Sequence, residues 1–129
     1  MSTGRQPFEY AVIRVVPRIE RGESINAGVV VYCRALDYLG SRAELDRDRL
    51  FALDPYADAA SVGLALSAAI NCELKADDDI GRRFRWLTAP RSTVVQPGPV
   101  HTGLTADPAI ELDRLFDVLV QPVPRIHGS

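Results

Sequence analysis

The chain predicts a single α+β domain, an antiparallel sheet of about four strands with two main helices packed on one of its faces. Three observations carry that reading. The first third holds two strand-like runs joined by a polar turn. Two later segments repeat apolar residues at helical spacing, each opened by Asp-Pro. A chain of 129 residues buries about two thirds of its extended surface on folding, enough for one core. One domain over residues 1–129 follows, with an ordered core over 8–120 and a loose tail over 121–129, where two prolines interrupt any regular pattern.

The elements follow in order. Residues 8–17 alternate, with Tyr10, Val12, Arg14 and Val16 on one face and Ala11, Ile13 and Val15 on the other. Residues 27–36 contain Val29-Val30-Val31-Tyr32-Cys33, a strand too apolar to have a wet side. Pro17 stops the first strand and Gly22 lets the chain turn, so the two pair as an antiparallel hairpin. Gly28, opening the apolar strand, marks a bulge or a close backbone approach. After a turn at 37–40, a shorter, more polar strand over 41–45 suits a sheet edge.

Asp54-Pro55 and Asp107-Pro108 each put a carboxylate at an N-cap and a proline at the first helical position, where its missing N–H is harmless. Val62, Leu66 and Ile70 face inward from the first helix, and Leu112, Leu115, Phe116 and Leu119 from the second. Between the helices come an acidic loop at 75–79, a short segment over 82–86 and a strand over 92–96. The stretch from Pro97 to Gly103 is too rich in Pro and Gly to be regular, which places His101 on a loop.

Composition narrows the class. The chain has no apolar run near the ~18 residues of a membrane span, and residues 1–6 lack the apolar core of a signal peptide, so a cytoplasmic protein with no membrane role is expected. Cys33 and Cys72 read as buried thiols rather than a disulfide. Net charge is -2. Residues 51–80 hold six acids and Lys75, whereas 81–101 hold Arg82, Arg83, Arg85 and Arg91 and no acid. That local segment falls short of the basic face nucleic acid requires.

No catalytic motif is present. Cys33, Cys72, His101 and His127 form no Cys-x-x-Cys or His-x-x-x-His pair, and no nucleophile elbow, Walker A or Gly-x-Gly-x-x-Gly loop occurs, so no metal or cofactor is expected. What remains is a polar set: Arg14, Arg18, Glu20, Arg21, Glu23 and Asn26 around the hairpin, and Arg91, Ser92, Thr93, Gln96 and His101 later. Arg14 interrupts an apolar strand face and must be paired, either structurally with Glu23 or Glu44 or with a ligand. Glu23 and His101 are the candidate base and acid of an enzyme, with a salt-bridged loop and a surface histidine as the plainer readings.

The strand from Tyr10 to Pro17, the turn Arg21-Gly22-Glu23-x-x-Asn26-x-Gly28-Val29, and Phe84-Arg85-x-Leu87-Thr88-Ala89-Pro90-Arg91-Ser92 ahead of a terminal Asp-Pro helix together resemble the bacterial domain of unknown function family 3037. The resemblance covers residues 8–120. It implies a small stand-alone protein with no assigned catalytic residue. Members often encoded beside a HipA-like serine/threonine kinase imply a kinase partner. A non-catalytic binding or regulatory module is therefore expected, with Arg14, Glu23, Asn26, Arg91, Ser92 and His101 as its contact residues and self-association left open. The competing expectation is a small enzyme or ligand-binding protein for a phosphate or carboxylate compound. Convergence of Arg14, Glu23, Arg91 and His101 in one pocket would favour the latter.

Overall fold

The computed structural model describes residues 4–123. The alternating and apolar runs form β1 (Gln6–Val15) and β2 (Ile25–Cys33), an antiparallel hairpin in which Glu9 faces Tyr32 and Val15 faces Ile25. Gly22, at φ +70°, turns the chain between them. The polar run is β3 (Tyr38–Ala43), which pairs with the far side of β2 and forms an edge.

The other side of β1 is lined twice. β4 (Val95–Pro97) pairs with Ile13–Val15 and β5 (His101–Thr105) with Gln6–Tyr10, both antiparallel, and the Gly98 N–H donates to the Val12 carbonyl (2.7 Å) between them. β4 and β5 thus act as one interrupted edge strand. Among the described residues five strands fill four positions, in the order β3-β2-β1-β4 with β5 also on β1. The regular strand through His101 corrects its expected place on an irregular loop. Glycine there serves close approach: a Cβ on Gly103 would come within 2.7 Å of the Phe8 ring, and Gly98 lies against Arg14.

Among the described residues there are four helices, not two, and they cover both faces of the sheet rather than one: α1 (Arg47–Leu53), α2 (Ala59–Ala69), α3 (Ile80–Leu87) and α4 (Pro108–Leu119). Leu50, Val62, Leu66, Phe84 and Leu87 from α1–α3 pack on Ile13, Val15, Ile25, Ala27, Val30 and Tyr32. On the opposite face Leu112, Leu115, Phe116 and Val120 pack on Phe8, Val29, Val31 and Cys33. A strand buried on both sides has to be met by apolar surface twice. No helix is long and apolar enough to cross a membrane among the described residues.

The two Asp-Pro pairs diverge. Asp107 caps α4, accepting from the N–H groups of Ala109 (3.1 Å) and Ile110 (3.2 Å), with Pro108 at the first position. Asp54 instead ends α1, its carboxylate accepting from Tyr56 N (3.0 Å), and α2 starts four residues later behind Asp58. Asp54 is 9% exposed and approached by Arg18 at 3.5 Å, so it serves the loop between the helices. Of the cysteines, Cys33 is buried and Cys72 only half so.

β2 carries a bulge. Ile13 faces Gly28 while the next residue, Arg14, faces Asn26, leaving Ala27 as the extra residue. Gly28 lies beneath β3 and the end of α2: a Cβ there would sit 3.1 Å from the Arg42 carbonyl oxygen, 3.2 Å from Ala43 Cβ and 3.5 Å from Ile70.

Two outcomes follow. Asp107→Ala removes the α4 cap and is expected to lower stability by about 1 kcal/mol in urea melts; an unchanged midpoint would mean that the cap is dispensable. Gly28→Val puts a branched side chain where a Cβ alone already crowds the Arg42 carbonyl and the Ala43 side chain, and is expected to lower stability by roughly 1–3 kcal/mol, read as a fall in melting temperature.

Candidate functional site

The polar residues singled out in the sequence lie in different places. Arg14 sits half-buried on the α4 side of β1, in register between Asn26 of β2 and Gln96 of β4. Neither expected carboxylate pairs with it: Glu23 binds Arg21 (Nε to Oε1, 2.6 Å) and Glu44 accepts from Gln121 (3.4 Å). The Arg14 guanidinium rests instead against the Gly98 backbone, where a Cβ would be 3.2 Å from Cζ. Asn26 is structural, its Nδ2 donating to the Leu119 carbonyl (3.0 Å) at the last turn of α4.

Glu23 is exposed on the β1–β2 connection, its carboxyl held below the usual range by the Arg21 hydrogen bond and charge. His101 is exposed on β5, opposite Tyr10, with its ring 5.3 Å from the tyrosine ring. Tyr10 and Val15 are five residues apart on β1, about 16 Å at 3.3 Å per residue, and Glu23 lies beyond the Val15 end. The two cannot act on one bond.

The arginines of the basic segment over 82–91 are largely held by the chain's own backbone. Arg83, 3% exposed, donates from Nε (2.9 Å) and Nη2 (2.7 Å) to the Asn71 carbonyl and stacks 4.2 Å from the Trp86 ring centre. Arg91 donates to the Trp86 carbonyl (2.8 Å) and stacks on the same ring at 4.3 Å. Thr88 closes α3 by donating to Phe84 O (2.9 Å). Arg82 donates to Asp77 O (2.9 Å). Three of the four arginines are thus engaged by backbone carbonyls; Arg85 has no hydrogen bond or ion pair through its side chain among the described residues. Ser92 is exposed beside this cluster.

A polar concavity lies elsewhere. Two adjoining hollows of about 380 and 370 Å³ share Tyr32, Arg34 and Arg85 as a common wall. One reaches Asp37, Asp79 and Gly81 and the other reaches Glu9 and Thr102. Tyr32, stacked on Phe84 with ring centres 5.2 Å apart, forms the floor. Asp79 caps α3 by accepting from Arg82 N (2.7 Å), which with the charges of Arg82 and Arg85 holds its carboxyl below the usual range. None of the expected contact residues lines this cleft. Arg85 was visible as one of a basic segment, whereas Tyr32 and Arg34 end an apolar strand and gave no polar signal.

No group of three or more His, Cys, Asp and Glu side chains converges as a metal site among the described residues. The family profile described as protein of unknown function (DUF3037) matches residues 10–120. No curated protein and no solved structure matches the chain.

The placement of Arg91 changes its expected behaviour from that of a free surface charge. Arg91→Glu would remove a carbonyl partner and a cation stacked on Trp86, and put a carboxylate near the negative end of α3. A loss of about 1–2 kcal/mol is expected from the sum of those effects, with Arg91→Lys losing less, as read by urea melts followed through Trp86 fluorescence.

Proposed function

The chain belongs to the DUF3037 family, whose description assigns no activity, and on that premise we propose that it is a non-catalytic binding or regulatory module of the cytoplasm. The observation that carries this reading is the separation of Glu23 from His101 by more than about 16 Å along β1. General acid–base catalysis needs both groups within hydrogen-bond reach of one reacting centre. The scatter of Arg14, Arg91 and Asn26, each against backbone of the chain itself, supports it further.

A protein partner suits the β5 edge. Among the described residues β5 pairs with β1 alone, so its other side is an edge, and Val100 and Leu104 on it are 42% and 59% exposed. A strand of another chain adds to such an edge through main-chain bonds, with exposed apolar side chains supplying specificity. The partner proposed is a HipA-like serine/threonine kinase, the class the family resemblance implies.

The test is calorimetric titration of the chain into such a purified kinase, together with the kinase's autophosphorylation rate. A saturable complex is expected, weakened about tenfold or more by Leu104→Asp, as befits an interface anchor, and unaffected by Glu23→Gln. Absence of a complex overturns the kinase assignment; loss of function in Glu23→Gln with binding intact overturns the non-catalytic reading.

A further inference from the structure

We infer that the cleft between the end of β2 and the first turn of α3 binds the phosphate or carboxylate group of a small polar molecule. Tyr32 is 9% exposed, so about nine-tenths of it is buried, and its hydroxyl has no hydrogen-bond partner among the described residues. No side-chain polar atom among the described residues is fully buried without a partner, so this hydroxyl is open to the cleft and free to donate to a group that enters it. Across from it the backbone of α3 comes close: a Cβ on Gly81 would lie 2.8 Å from the Tyr32 hydroxyl and 3.5 Å from Arg85 Nη1. The missing side chain leaves the hydroxyl, the Arg85 guanidinium and the first turn of α3 around one space.

Charge completes the picture. Arg34 and Arg85 line both hollows, and neither side chain has an ion pair or hydrogen bond among the described residues. Two guanidiniums without a hydrogen bond or ion pair and a hydroxyl donor are groups that recognise an oxyanion, while the N-terminus of α3 is already capped by Asp79. Three carboxylates also line the cleft: Asp37 and Glu9 at its opposite ends, and Asp79, which caps α3 and feels the charge of Arg85. They disfavour a bulky polyanion and are placed to accept hydrogen bonds from hydroxyl or ammonium groups of the same molecule. This site is separate from the β5 edge and does not depend on a kinase partner.

Titration of the full chain at low salt with inorganic phosphate, and separately with acetate, followed by the amide shift of Gly81 in nitrogen-15 NMR spectra, tests the assignment. Saturable shifts are expected for at least one ion, and which ion saturates identifies the head group. Arg85→Gln is expected to weaken binding about tenfold or more, as loss of a charge-assisted contact does. Tyr32→Phe keeps the stack on Phe84 and is expected to weaken binding about tenfold while melting at the same or a higher temperature, because no protein hydrogen bond is lost. Non-saturating shifts for both ions, or unchanged binding in both variants, overturn the site. A lowered melting temperature in Tyr32→Phe would show that the hydroxyl serves the fold and would overturn it equally.

Discussion

The extra residue in β2 governs the rest of the molecule. Side chains alternate across a strand with period two, so one inserted residue exchanges the faces of everything beyond it. Before the bulge Ile25 and Ala27 face α1–α3; after it Val30 and Tyr32 do, and Val29, Val31 and Cys33 turn to α4. The even-numbered Tyr32 reaches the floor of the cleft only because Ala27 is skipped. Gly28 makes the bulge tolerable where β3 and Ile70 close over it. One local irregularity therefore fixes which residues meet which helices, and which aromatic lies under α3.

Much of the fold was legible because its signals are local. The hairpin, the apolar strand, the positive-φ Gly22 and the Asp107-Pro108 cap each follow from a few adjacent residues. Asp54-Pro55 carries the same two letters and does something else. A cap needs a helix that can bury a face immediately after it, and the residue that anchors this region, Leu50, lies before Asp54 rather than after. α1 gave little warning, being seven residues long with one buried side chain. Glycines 98 and 103 were read as loop punctuation, yet they mark where strand backbone lies against Arg14 and Phe8.

The candidate site was hardly legible, for a different reason. Sequence shows which residues are polar and not which partners consume them. Arg83, in an apparently solvent-facing basic segment, is buried and bound by one carbonyl, while Arg85 two residues on is left unengaged. Helical geometry explains the difference, since neighbours two apart point about 200° away from each other. The floor of the cleft comes from the end of a strand that looked purely structural, and its walls come from residues some fifty positions away in sequence. No spacing rule spans such a distance.

Element lengths explain why a cleft exists at all. β1 has ten residues and extends about 33 Å. The helices on that face have seven, eleven and eight residues, which makes them only about 10, 16 and 12 Å long. They pack over Ile13, Val15 and Val95, toward the far end of β1. The other end of the sheet, at Pro7, Glu9 and Thr102, is left open on that side, with α3 ending its cover at Tyr32. A fold needing only stability would close such a gap with an apolar side chain, because uncovered sheet forfeits burial. Here the boundary is drawn by a tyrosine, two arginines and a glycine. The limit of the helical layer thus sets the position of the cleft, and the residues at that limit set its polarity.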